Sequence, residues 1–379
     1  MQYNRILITG GAGFIGSNLT RKLVGHGYKV RILDNMSPQI HGDDYTQSQL
    51  YQSVKNIAEV MIGSVQDQED WGKAIKDVDV IVHLAAETGT GQSMYAIEKY
   101  TDVNIKGTAL MLDILTNEKH SVKKIVVASS RAIYGEGKYV CTEHGNVYPL
   151  ERKDEDMAKG DFGAKCPHCG NDVELKATDE SSMNHPTSVY GLTKSVQEQM
   201  CMLVGKSLNI PVVAFRYQNV YGPGQSLKNP YTGILSVFST RIMNGNEINI
   251  FEDGKESRDF VYIDDVVNAT MMGIERKEAD YCCFNVGTGS AANVLSVAEM
   301  LVAMYKKDTK IKISGNYRLG DIRHNYADIT LIKSKLGFEP KVTIDQGLGK
   351  FACWVQSQEI EKDGYDASID EMKQKGLYK

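Results

Sequence analysis

The sequence predicts an α/β fold: a doubly wound parallel sheet with helices on both faces, joined to a smaller mixed α/β lobe. Three observations predict it. Short apolar runs alternate with helical stretches through the first half of the chain. The first of these runs ends in a glycine-rich loop that opens a helix. The length, 379 residues, is long for one compact unit and natural for two lobes.

Arg5–Thr9 reads as the first strand and Phe14 to about Val24 as the helix after it. Lys29–Leu33 is the next strand, ending at Asp34, and further strands fall at Ala58–Ile62, Val78–His83 and Lys124–Ser129. The alternation stops after Tyr134. Residues 135–186 are polar, charged and rich in turn formers, too long for a connection, and read as an inserted module. A helix at Ser188–Ser207 and a strand at Pro211–Arg216 resume the pattern. Residues 1–134 and 187–218 therefore form the nucleotide-binding domain, 219–357 the substrate lobe, and 358–379 a charged C-terminal tail or peripheral helix.

Composition narrows the function classes. A chain 42% hydrophobic and 24% charged suits a soluble globular protein. The net charge of −5 argues against nucleic acid as partner. No apolar run approaches the roughly 18 residues of a membrane span, and the apolar start runs straight into the glycine loop rather than forming a secretory signal. No membrane partner and a cytoplasmic location are expected. Seven cysteines at low density do not suggest a disulfide framework. Cys201, Cys282, Cys283 and Cys353 sit among apolar residues and read as core.

The loop Thr9-Gly10-Gly11-Ala12-Gly13-Phe14-Ile15-Gly16 carries a Rossmann-type signal. Gly10 permits a tight turn, Gly13 lets backbone N–H groups approach a pyrophosphate, and Gly16 allows close helix–strand packing. The helix N-terminus then faces phosphate charge. Asp34, followed by Asn35, ends the second strand, where its carboxylate would accept from both ribose hydroxyls and repel a 2′-phosphate. NAD is expected over NADP. Tyr190 and Lys194 lie four apart on one helical face, an arrangement in which an ammonium lowers the phenol from its usual pKa of about 10 and prepares it for proton transfer. Lys194 can also hold the nicotinamide ribose.

These motifs resemble the extended short-chain dehydrogenase/reductase family of NAD-dependent nucleotide-sugar epimerases and dehydratases, from Arg5 to about Trp354. The resemblance implies that Ser130, in Ser129-Ser-Arg-Ala-Ile-Tyr134, binds the reacting oxygen beside Tyr190 and Lys194. It implies that Leu84, Ala85 and Ala86 run along the cofactor and that Asn104 supports the nicotinamide side. The family's usual Gly-Asp pair at the adenine is Gly63-Ser64 here, leaving Ser64 and Val65 to line that pocket. Dehydratases of the family carry Asp and Glu after the catalytic Ser or Thr. Arg131 and Ala132 stand there instead, which favours hydride transfer at one carbon, as in a 4-epimerase. A nucleotide-diphosphate sugar is the implied substrate, with Asn219, Arg258 and Arg323 on its diphosphate; for the arginines, surface ion pairs are the other reading. Phe251 reads equally as base contact or as core. A homodimer through Ala96–Asn117 and Ser188–Ser207 is the family expectation.

Cys141-Thr-Glu-His144 and Cys166-Pro-His-Cys169 each space two ligands by two residues, the bite a tetrahedral metal prefers. Cys141, His144, Cys166 and Cys169 would make a closed structural zinc site, with free surface thiols as the alternative and His168 a weaker ligand than His144. This insertion, with Ala86–Tyr95, looks like that of dTDP-L-rhamnose 4-epimerases, which implies dTDP-6-deoxy-L-talose as product. A nucleotide-sugar reductase or dehydrogenase, a 4,6-dehydratase, and a non-catalytic NAD-sensing regulator on the same fold remain alternatives.

Overall fold

A computed structural model describes residues 3–231 and 233–379. Seven strands form the central sheet: β1 (Arg5–Thr9), β2 (Lys29–Asp34), β3 (Glu59–Ile62), β4 (Val80–His83), β5 (Lys124–Ser130), β6 (Val212–Tyr217) and β7 (Cys282–Val286). Their order is β7-β6-β5-β4-β1-β2-β3, and every pairing is parallel. The order reverses beside β1, so the crevice at the C-terminal ends of β1 and β4 is where a ligand binds in such sheets.

The inner strands are buried on both faces, as a parallel sheet requires, while the edge strand β3 is partly exposed. Ile6, Ile8, Val80, Val82, Val126 and Val213 point into one core; Leu7, Ile81, Ile125, Val127, Val212 and Ala214 point into the other. The second core is closed by α2 (Gln68–Ala74), α3 (Gly107–Asn117) and Cys201. The first core takes Leu19 and Leu23 of α1 (Phe14–Gly25) and runs on without a break into the smaller lobe, where Phe238, Val266, Leu301 and Phe351 join it. One continuous apolar body thus fixes the two lobes against each other.

Cys201 is buried, but Cys282 and Cys283 are only half-buried and Cys353 is exposed. Cys282 and Cys283 open β7, the edge strand of the sheet, and pack only partly against the cores, whereas Cys353 lies on a helix, where a residue can have apolar neighbours in sequence and still face water.

The inserted segment folds as a small antiparallel sheet, Gly145–Val147 beside Tyr139–Cys141 beside Glu174–Leu175. Its own core holds only Tyr139, Cys141, Val147, Ala164 and Cys166 among buried residues. Ionic contacts tie it to the smaller lobe. Arg152 pairs with Glu136 (3.1 Å) and with Glu252 (2.8 Å), and Glu252 pairs with Arg323 (2.7 Å). All four are buried, and the Glu136 carboxylate also accepts the Arg323 backbone N–H. The tail folds as a helix (Tyr365–Gln374), the last of the chain, and packs Ile369 and Met372 near Phe251. Among the described residues no helix is long and apolar enough to cross a membrane.

Candidate active site

One cavity of about 540 Å3 runs from the glycine loop, past the C-terminal ends of β1, β4 and β5, into the smaller lobe. The loop geometry explains its glycines. A Cβ on Gly16 would lie 2.2 Å from the Gly10 carbonyl oxygen, whereas one on Gly13 would meet nothing nearer than 3.2 Å. Gly16 is thus required by packing, and Gly13 by whatever must approach it. The expected result is that Gly16→Ala destabilises the protein by about 1–3 kcal/mol through overpacking even without cofactor. Gly13→Ala should keep its melting temperature and lose bound NAD. Thermal melts and the NAD released on denaturation distinguish them.

Asp34 is buried, and its two carboxylate oxygens accept backbone N–H groups of Ala12 and Met36, each at 3.0 Å. These bonds orient the carboxylate and leave lone pairs for ribose hydroxyls. Burial nevertheless raises its pKa. At the next strand end, the Ser64 N–H donates to Asp70 (2.8 Å). Gly10, Gly13, Phe14, Ile15, Gly16, Asn35, Ser64, Val65, Leu84, Ala85 and Ala86 all border the cavity with Asp34.

The candidate catalytic residues come from two elements held close by a glycine. Ser130 ends β5 and caps the short turn Arg131–Tyr134, its Oγ accepting the Ala132 N–H at 3.1 Å. Helix α4 (Val189–Ser207) begins against that turn. A Cβ on Gly191 would lie 2.5 Å from the Ala132 carbonyl oxygen, so only glycine allows this approach. Ser188 caps α4 by accepting from Gly191 N–H (3.1 Å), and the Tyr190 N–H donates to Ser93 Oγ (3.0 Å). Tyr190, in the first turn, then borders the cavity together with Ser130, whose side chain acts to lower its pKa.

The expected lowering of the phenol by Lys194 is not what this arrangement produces. Burial raises the Tyr190 pKa, opposed by the Ser130 side chain and by the charge of Arg131. Lys194 Nζ, only 2% exposed as a residue, instead donates to Gln197 Oε1 at 2.7 Å. Burial lowers the Lys194 pKa to about 8. Gln197 Nε2 donates in turn to Thr108 Oγ1 (2.7 Å), and Thr108 meets His83 Nε2 (3.0 Å), whose Nδ1 meets Thr9 Oγ1 (2.7 Å). A polar chain therefore runs under the site from Lys194 back to β1. Asn104 lies beside it. Its side chain pairs with both the N–H (2.8 Å) and the C=O (3.1 Å) of Glu87 and donates to Thr193 (2.9 Å), clamping the loop after β4 onto α4.

Burial, and after it Lys194, depresses the His83 pKa to about 3. Unfolded histidine titrates near 6.5. Above that pH both states are neutral. Below it only the unfolded state gains the proton, so folding loses about 1.4 kcal/mol per pH unit until pH approaches 3. Between pH 7 and pH 5 this amounts to about 2 kcal/mol. Denaturant unfolding at the two pH values should show that loss, and His83→Gln should remove it.

In the smaller lobe, Asn219, Phe251 and Arg258 border the cavity; Arg323 does not. Arg323 is spent on Glu252 (2.7 Å) and Asp253 (2.6 Å), the ion-pair alternative raised by the sequence. Arg318 stands at the cavity wall with Arg258, and both pair with Asp321, at 2.5 and 3.3 Å. Phe251 packs edge-on to Tyr378 of the tail (5.4 Å between centroids) and carries the Arg318 guanidinium over its ring. Several polar atoms here are buried without a partner: both side-chain atoms of Gln218, Asn219 Oδ1, Ser129 Oγ and Glu256 Oε2. All belong to residues of the cavity wall. Buried polar groups require partners, and a polyhydroxylated ligand would supply them.

A model of the NAD dependent epimerase/dehydratase family matches residues 6–154 and 164–287. The chain belongs to this family. The unmatched residues between the two matches fall inside the inserted module. A dTDP-L-rhamnose 4-epimerase of Burkholderia thailandensis is 34% identical over 94% of this chain and 96% of its own. The UDP-glucose 4-epimerase of Thermotoga maritima, solved with UDP-glucose, is 29% identical with a TM-score of 0.74, covering 93% of this chain and 98% of that one. The UDP-glucuronic acid 4-epimerase of Bacillus cereus, solved with UDP-glucuronic acid and NAD, is 26% identical with a TM-score of 0.75, covering 93% and 99%. As an enzyme of this family the protein places its glycine loop, Ser130, Tyr190 and Lys194 on one cavity. Sequence reading passed over Gln197 and Arg318, which sit in no recognisable motif and take their places through contacts across the fold. Gln218 and Glu256 lie in the segments of Asn219 and Arg258 but carried no assigned role.

Proposed function

We propose that the protein is an NAD-dependent nucleotide-sugar 4-epimerase acting on dTDP-L-rhamnose to give dTDP-6-deoxy-L-talose. The observation that carries the reading is one continuous cavity holding, in order, the glycine loop with Asp34, the Ser130–Tyr190–Lys194 group, and the arginines of the smaller lobe. The similarity to the Burkholderia enzyme over nearly the full length of both chains supports the choice of sugar nucleotide.

NAD fits the residues present: the close backbone of Gly10–Gly16 for pyrophosphate, Asp34 for the adenosine ribose, and Lys194 for the nicotinamide ribose. When bound it supplies the hydride acceptor, and then donor, for C4 of the sugar. The protein moves the proton. Tyr190 takes it from the C4 hydroxyl and later returns it, with Ser130 bonded to the same oxygen. Both Ser130 and Arg131 favour the ionised phenol, opposing burial. Arg258 and Arg318 hold the diphosphate while the sugar turns its other face.

The test is product analysis after incubation with dTDP-L-rhamnose and no added cofactor, by mass and proton NMR. Unchanged mass with inversion at C4 is expected. Loss of water, or a requirement for stoichiometric NAD(H), would replace the reading with a dehydratase or a reductase.

We also propose a structural zinc ion on Cys141, His144, Cys166 and Cys169. Their ligand atoms all lie within 4.8 Å of one another. A tetrahedral site with Zn–S bonds of about 2.3 Å sets its sulfurs about 3.8 Å apart. Cys141 Sγ lies 3.7 Å from Cys169 Sγ, and His144 Nδ1 lies 3.5 and 3.7 Å from Cys141 and Cys166. A homodimer is proposed through α4 and the helical stretch that ends in α3. Ile97, Leu192 and Leu203 stand 54%, 52% and 72% exposed on them.

A further inference from the structure

The sequence offered Arg131 only as a residue unable to act as an acid. Its surroundings give it a ligand. Arg131 borders the cavity next to Ser130. It shares that wall with Tyr190 on one side of the site and with Arg258, Arg318 and Asp321 of the smaller lobe on the other, and the charges of Arg258, Asp321 and Tyr190 act on it. The other guanidiniums of that cluster are engaged: Arg152 with Glu136 and Glu252, Arg323 with Glu252 and Asp253, Arg258 and Arg318 with Asp321. Arg131 alone has no hydrogen-bond or ion-pair partner among the described residues.

The charge balance agrees. Arg131, Arg258 and Arg318 face the cavity against the single carboxylate that pairs with them, Asp321. With Glu252 of the same wall taken by Arg152 and Arg323, the three guanidiniums outnumber the carboxylate left to answer them, which favours an anionic ligand such as a sugar nucleoside diphosphate. Glu256, also on the wall, does not offset them fully, because burial beside Glu252 pushes it up to about 7.

Resting on the nucleotide-sugar reading above, we propose that Arg131 binds the β-phosphate, the phosphate next to the sugar, and so fixes the sugar against Tyr190. A guanidinium suits the task because its planar fork can hold two phosphate oxygens at once. A residue between Tyr190 and the cluster reaches the phosphate nearest the sugar, leaving the α-phosphate to Arg258 and Arg318.

The experiment is calorimetric titration of the NAD-loaded protein with dTDP, dTMP, UDP and UMP, for the wild type, Arg131→Gln and Arg131→Lys. For the diphosphate preferred by the wild type, Arg131→Gln should weaken binding about 10- to 100-fold, leaving the matching monophosphate within about twofold. Arg131→Lys should fall between, having charge without the fork. The KM for the sugar nucleotide should rise in parallel. Equal weakening of mono- and diphosphate, or no weakening, overturns the proposal. Should Arg131→Gln not fold, the diphosphate-to-monophosphate ratio of Arg131→Lys decides, and an unchanged ratio overturns it. Unchanged dTDP and UDP binding with a specific loss of affinity for a sugar bearing a carboxylate would reassign Arg131 to the sugar. A wild type that binds neither diphosphate overturns the nucleotide-sugar reading itself.

Discussion

Tyr190→Phe should lower turnover by about 10²- to 10⁴-fold, the usual worth of a positioned acid–base group, while NAD content and nucleoside diphosphate affinity stay unchanged. The substitution removes one oxygen and keeps the ring. The ring lies edge-on to Tyr100, with centroids 6.4 Å apart, a contact that phenylalanine preserves. Ser130 Oγ retains the Ala132 N–H as a partner, so no buried group is orphaned and the fold should not suffer. What is lost is the only atom in the proposed mechanism that takes the C4 proton. The measurement is C4 inversion by NMR under saturating substrate, alongside cofactor released on denaturation. A phenylalanine variant that turns over at the wild-type rate would remove Tyr190 from the chemistry. Arg131→Gln offers a second reading of the same group. Its positive charge favours the ionised phenol, so its removal should shift the alkaline-going limb of the kcat profile to higher pH, an effect a purely structural role would not produce.

The central sheet was legible because its signal is local. Each strand is a short apolar run whose neighbours on both faces are apolar, and the glycine loop and Asp34 mark strand ends. Boundaries moved by only a residue or two: β5 runs on to Ser130 and β6 to Tyr217. That Ser130, Tyr190 and Lys194 come to one cavity was legible for the same reason, since each lies in a motif attached to a strand or helix end. The state of those groups was not. Tyr190 and Lys194 share a helical face, but the ammonium donates to Gln197, which lies outside the motif and is held in place by its bond to Thr108 of α3. The arginines show the limit most plainly. Arg258 and Arg323 looked alike in sequence, yet the inserted module brings Arg152 and Glu136 against the smaller lobe and Arg323 is consumed in that network. Arg318 takes the cavity wall in its place. A hydrogen-bond partner 187 positions away, as Glu136 is to the Arg323 backbone, leaves no trace in local pattern.

That network makes removal of the metal the other large effect. Cys166→Ser, or prolonged exposure to a strong chelator, should unfold the inserted module. Isolated zinc-dependent peptides draw about 10–16 kcal/mol of apparent folding free energy from the ion, and this module has little else. Its core of five buried residues includes two of the proposed ligands, Cys141 and Cys166. Wild-type protein should contain one zinc per chain by elemental analysis. After loss of the ion, limited trypsin digestion should cut faster at Lys165 and Lys176, half-buried in the folded module, while the sheet domain survives. The damage should then travel along the buried charges. Arg152 sits in the module and pairs with Glu252. Freed of Arg152, Glu252 keeps Arg323 (2.7 Å) but becomes a buried carboxylate with one fewer compensating charge, a strongly unfavourable state. The wall that carries Arg258 and Arg318 should loosen, raising the KM for the sugar nucleotide more than it lowers kcat, with bound NAD unaffected because the glycine loop lies on the opposite lobe. A folded, protease-resistant protein that holds no zinc would sink the metal site, and a metal-free protein with unchanged KM would sink the coupling while leaving the site.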